Sequence, residues 1–117
     1  MKKILWIEDE ANVTGLVKVI LEHEGYRVST LRDASNFKTQ LKESHADLVL
    51  LDLNIGEFNG TVICEYIKSR SDLNNLLIIL IAASNDIKQI EKECGAECLI
   101  IKPFDLYTLI GTVKAYA

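Results

Sequence analysis

The chain has 117 residues, 49% of them hydrophobic and 26% charged, with a formal net charge of -4. That length suits one domain able to bury roughly two thirds of its unfolded surface without disulfides or metal staples, and the hydrophobic content excludes a disordered chain. The acidic balance lacks the electrostatic footprint of a nucleic-acid binder, so no direct nucleic-acid partner is expected.

In chain order, the first predicted element is a strand over residues 4–7, which runs into the acids Glu8 and Asp9. A helix follows, with Val13, Leu16, Val17, Ile20 and Leu21 at steps of three and four and Gly25 as its stop. A second strand covers residues 26–31, and Asp33 is the candidate N-cap of a shorter helix that turns Phe37 and Leu41 to one side. The third strand, residues 48–51, is purely aliphatic and ends on Asp52. Asn59 then caps a helix striped by Val62, Ile63, Tyr66 and Ile67. A fourth strand spans residues 76–81, followed by Asn85 as a cap, a stripe of Ile87, Ile90 and Cys94, and Gly95. The fifth strand, residues 99–101, leads into Lys102 and Pro103, and Asp105 caps a last helix carrying Leu106, Leu109, Ile110 and Val113.

Strands that alternate with helices imply right-handed crossovers and a parallel sheet covered on both faces, which is why these strands read as continuous apolar runs. The expected fold is therefore α/β, a doubly wound five-stranded parallel sheet. Residues 1–117 contain no repeat or flexible linker, so a single domain is expected. Cys64, Cys94 and Cys98 lack the paired spacing of a zinc site or a disulfide framework and read as thiols in a reducing, cytoplasmic setting. The opening MKKILWIEDE has too short an apolar run for a signal-peptide core or a membrane span, so no membrane partner is expected.

In an open parallel sheet, ligands bind outside the carboxyl ends of the strands, where strand order reverses. Glu8, Asp9 and Asp52 end the first and third strands, and Lys102 ends the fifth, so three carboxylates and one ammonium converge if those strands are neighbours. Clustered carboxylates repel one another, and a hard divalent cation relieves the repulsion. Oxygen ligands alone select magnesium, manganese or calcium over zinc, and the small number of protein ligands favours Mg2+. A carboxylate beside such a cation and an ammonium is equipped to accept a phosphoryl group, a reaction that needs charge neutralisation and in-line positioning more than proton transfer.

With ILWIEDE, LVLLDLNIGEFNG (where Gly60 stands eight residues after Asp52), GAE at 95–97 and KPF at 102–104, the chain resembles the receiver domains of two-component response regulators along essentially its whole length. The resemblance implies a flavodoxin-like (βα)5 fold and a phosphorylation-controlled protein-interaction switch. In it, Asp52 takes a phosphoryl group from a histidine kinase or histidine phosphotransfer protein. Asp9, Asp52 and the main-chain carbonyl of Asn54 would bind Mg2+ directly, with Glu8 acting through a coordinated water. Lys102 would pair with Asp52 and then with the phosphoryl group, and the Lys102–Pro103 peptide is commonly cis in the family. Output would pass to a downstream protein or a covalently linked output domain, through a face built from the fourth helix, fifth strand and fifth helix, with Leu99 and Tyr107 as candidates. Such a domain is no turnover enzyme, since it catalyses at most its own phosphorylation and dephosphorylation.

Two positions depart from the family pattern. Its usual threonine or serine at the end of the fourth strand is Ala82 here, and its usual aromatic or histidine three residues before the lysine is Leu99. Ser84, drawn inward by a loop about two residues shorter than usual, is a candidate substitute hydroxyl. These departures keep open a second reading, a degenerate receiver that binds a partner constitutively. A haloacid-dehalogenase-like enzyme ranks last, because Asn54 stands where its second aspartate belongs. Taken singly, the acids would be helix caps or turn residues and Lys102 a surface charge. His23 and His45 lie at polar helix ends and are assigned no role, while Trp6 and Tyr66 read as core or core-edge aromatics.

Overall fold

The aliphatic runs assemble into a parallel sheet in the computed structural model, which describes residues 2–8, 11–31, 34–55, 58–83 and 95–117. The strands are β1 (Lys3–Ile7), β2 (Arg27–Leu31), β3 (Leu48–Asp52), the two-residue β4 (Asn54–Ile55) and β5 (Phe58–Asn59), β6 (Leu77–Ala83) and β7 (Cys98–Lys102). Five of them form one sheet in the order β2-β1-β3-β6-β7, every neighbour parallel. Strand order reverses between β1 and β3, the point at which such sheets open a crevice.

Period-two alternation sorts the side chains onto two buried faces. Ile4, Trp6, Leu48, Leu50, Ile79, Ile81 and Ile100 pack with Val17 and Leu21 of α1 (Ala11–His23) and with Leu109 and Val113 of the last helix (Leu106–Tyr116). On the opposite face, Leu5, Ile7, Val49, Leu51, Ile78, Leu80 and Ala82 pack with Phe37 and Leu41 of α2 (Phe37–Ser44) and with Ile63, Cys64 and Ile67 of α3 (Gly60–Ser69). Helices on both faces give the doubly wound architecture expected from the apolar runs.

Local signals act where chemistry requires them. Gly25 has φ +99°, a left-handed conformation that ends α1 without a Cβ penalty. Asn59 accepts a hydrogen bond from the Thr61 N–H at 2.9 Å, and Asp105 from the Thr108 N–H at 2.7 Å, so both act as N-caps. The Thr108 main-chain donor is also the main reason that the Asp105 carboxyl lies below its ordinary 3.8. The expected caps Asp33 and Asn85, and the helix carrying Ile87, Ile90 and Cys94, lie outside the described residues.

Several details differ from the sequence reading. The strands run one residue beyond the purely apolar runs, so that Asp52 and Lys102 are themselves the last residues of β3 and β7, the strand ends expected of them. The antiparallel pair β4–β5, with Asn54 opposite Asn59 and Ile55 opposite Phe58, was not expected, because two-residue strands are too short to show alternation. Cys98 is a free thiol, whereas the buried Cys64 is disulfide-bonded, against the expectation of thiols throughout. No described helix is long and apolar enough to cross a membrane.

Candidate functional site

The site forms where β1 and β3 end side by side. Ile7 pairs with Leu51, so Glu8 and Asp52 leave the sheet as neighbours. By alternation Glu8 follows Trp6, Asp52 follows Leu50, and Lys102 follows Ile100, all on the sheet face covered by α1 and the last helix. Lys102 lies opposite Ala83 on the far side of β6, and its long stem crosses the end of that strand. Its Nζ donates to Asp52 Oδ2 and lies 3.7 Å from Glu8 Oε2.

Burial makes this cluster costly. Asp52 is 2% and Glu8 3% exposed, the buried charged side chains among the described residues. An ionised carboxylate removed from water costs several kcal/mol unless charge partners and hydrogen bonds replace the solvent. Lys102 supplies part of that replacement. Burial is the largest single influence on its ammonium and pushes the pKa down, but the hydrogen bond and charge of Asp52, followed by Glu8, outweigh it and hold Lys102 above its ordinary 10.5.

The donor set suits a hard cation: two buried carboxylates on adjacent strands offer oxygen only. Asp9 lies outside the described residues, and among those described no group of three metal-binding side chains occurs. Asn54 opens β4 two residues past Asp52, so its main chain leaves the same rim. Ala82 is buried at the end of β6, and Ser84 is outside the described residues. The Lys102–Pro103 peptide is cis.

Leu99 is half-buried against the core face that includes α3. Tyr107 is 89% exposed on the last helix, and Leu106 beside it in the chain and Ile101 of β7 are exposed as well. Between β7 and that helix runs a groove of about 300 Å³ lined by residues including Leu99, Ile101, Pro103, Phe104 and Thr108. His23 and His45 are exposed, and Trp6 is fully buried.

One residue of structural weight carried no assigned role in the sequence. Glu97 Oε2 accepts from the Ile78 N–H at 2.6 Å, while its Oε1 pairs with Lys68 of α3. It staples the amino ends of β6 and β7 to a helix. Glu97 stands in the GAE segment at 95–97 that contributes to the family resemblance, but a motif of three residues does not reveal distant partners.

Comparison with known proteins agrees with this architecture. Residues 4–114 match the response regulator receiver domain family. The response regulator ArlR of Staphylococcus aureus is 33% identical over 116 residues, covering 98% of this chain and 52% of the relative, so the chain spans about half the length of the curated relatives it matches. Among solved structures, the response regulator TrrA of Thermotoga maritima in complex with Mg(2+)-BeF is 26% identical, with TM-score 0.88 and 100% coverage of both chains. The chemotaxis response regulator CheY4 of Vibrio cholerae has the same fold, with TM-score 0.90 over 100% of this chain and 99% of its own, at 24% identity. The chain belongs to the response regulator receiver domain family. It is a receiver of phosphorylation-based two-component signal transduction, a class that acts through its own phosphorylation and dephosphorylation rather than as a turnover enzyme.

Proposed function

We propose that Asp52 is the phosphoacceptor and that residues 1–117 work as one receiver unit, switched by a histidine kinase or histidine phosphotransfer protein. The observation that carries this reading is the Lys102 ammonium set between the buried carboxylates of Asp52 and Glu8 at the carboxyl rim. Asp52, Asp9 and the Asn54 carbonyl would hold Mg2+ directly, with Glu8 acting through water. The Mg(2+)-BeF complex of TrrA supports that use of the rim. Bound Mg2+ would neutralise phosphoryl oxygens and carboxylates together.

In the transfer, an Asp52 carboxylate oxygen forms the new O–P bond as the P–N bond to the donor imidazole breaks. Lys102, already hydrogen-bonded to Asp52, then turns to a phosphoryl oxygen and stabilises the charge delivered there. Output runs to a downstream protein or a linked output domain through the surface holding Leu99 and Tyr107. Ala82 offers a methyl where relatives of this pattern offer a hydroxyl, so the phosphorylated state forgoes a charge-assisted hydrogen bond of about 1.5–3 kcal/mol. Phosphorylation then biases this domain less than one with the hydroxyl.

Incubation with Mg2+ and a small-molecule phosphodonor, followed by intact mass measurement, tests the assignment. Wild type should gain one phosphoryl group, and Asp52→Ala none. A wild type that gains nothing would favour the second reading, a constitutive binding module, which Ala82 and Leu99 support. In Ala82→Thr, the rise in urea stability on phosphorylation should exceed that of wild type by about 1.5–3 kcal/mol. An equal rise would show that the missing hydroxyl is immaterial.

A further inference from the structure

The first residue of α3 lies against the main chain that leaves Asp52. A Cβ added at Gly60 would sit 2.5 Å from the Asp52 carbonyl oxygen, 2.9 Å from Leu53 Cα and 3.2 Å from the Asp52 carbonyl carbon. Ordinary carbon contacts lie near 3.5–4.0 Å, and all three atoms belong to the main chain, so no side-chain rotation relieves the clash. At Gly15 and Gly111 the same Cβ would meet nothing within 4 Å.

Hydrogen bonds grip the same segment from two sides. The Leu53 N–H donates to the Ile81 carbonyl of β6 at 2.9 Å, and the Leu53 carbonyl accepts from the Gly60 N–H at 2.5 Å. Behind Gly60, α3 cannot retreat without opening the core, because Ile63, Cys64 and Ile67 are fully buried and Asn59 holds the first turn.

We infer that Gly60 is a positioning residue for the phosphoacceptor: its missing side chain lets α3 clamp the Asp52–Leu53 main chain and thereby sets the carboxylate against Lys102 and Glu8. The inference rests on the reading of Asp52 as acceptor. In Gly60→Ala either the helix or the acceptor segment shifts, and a displacement near 1 Å costs up to about 10²-fold in rate.

The test compares phosphorylation rates with a small-molecule phosphodonor and Mg2+, below the melting temperature and with the folded fraction checked by circular dichroism. Gly60→Ala should slow the reaction by at least about ten-fold. Gly15→Ala and Gly111→Ala should react at the wild-type rate, as should Ile67→Val, which lowers Tm without touching the Asp52 main chain. Without donor, the Asp52 carboxyl carbon NMR resonance should move in Gly60→Ala and stay in place in Ile67→Val. Should Gly60→Ala fail to fold, Asn59→Ala loosens the first turn of α3 without adding an atom beside Asp52 and should show the same resonance shift with a smaller loss of rate. A folded Gly60→Ala, or in its absence Asn59→Ala, reacting at the wild-type rate overturns the inference. If wild type takes up no phosphoryl group, or Asp52→Ala takes up as much, the failure lies instead in the reading of Asp52.

Discussion

Asp52 and Asp72 each pair with a basic side chain, at opposite rims of the sheet, and water treats them differently. Asp72 lies in the turn before β6, its side chain 57% exposed, hydrogen-bonded to Arg70 at 2.9 Å. That hydrogen bond is the main cause holding the Asp72 carboxyl below its ordinary value and the Arg70 guanidinium above its own. Solvated pairs of this kind contribute little, since solvent already serves both ions. At the carboxyl rim one ammonium serves two buried carboxylates, an arrangement poor for stability and suited to receiving further positive charge. Lys68–Glu97 is intermediate, with side chains 30% and 24% exposed. Charge at the carboxyl rim is held at a cost, whereas charge at the other rim is left in water.

Lys102→Met should break this contrast most strongly. Removing one partner of a fully buried pair costs about 3–5 kcal/mol, and because 41% of the Lys102 side chain stays in water, about 2 kcal/mol is expected by urea denaturation. Added Mg2+ should recover part of that loss; a variant as stable as wild type would show that the pair needs no ammonium. The same variant has a pH signature. Lys102 is held above 10.5, so its contribution is fully present below that value and is lost as pH rises through its elevated pKa. The stability gap between wild type and Lys102→Met should therefore close in strongly alkaline solution.

Smaller effects sharpen the comparison. Glu97→Gln keeps an acceptor for the Ile78 N–H but loses the Lys68 pair, and a cost of about 1 kcal/mol is expected in urea. Asp72→Asn should leave the urea midpoint unchanged. A loss there as large as that of Lys102→Met would abolish the distinction between the two rims.

Much of this molecule was legible residue by residue. Aliphatic runs such as Leu48–Leu51 predict strands buried on both faces, Asn59 and Asp105 announce helix starts, and Gly25 a helix end, because burial period, capping and φ are local properties. The placement of Glu8, Asp52 and Lys102 at strand ends was legible from chain order. The Glu97 staple, the β4–β5 pair and the approach of Gly60 to Asp52 were not, since each depends on atoms that chain order alone does not bring together.

The sequence by itself determined which residues prefer strands, helices and caps, and that acids and a lysine stand at strand termini, because propensity and periodicity act over a few residues. Only the tertiary structure decided that β1 lies beside β3, that Lys102 reaches across β6 to Asp52, and that α3 presses on the Asp52–Leu53 main chain. Those contacts join residues far apart in the chain, and their geometry is set by strand order, register and the packing of both faces at once.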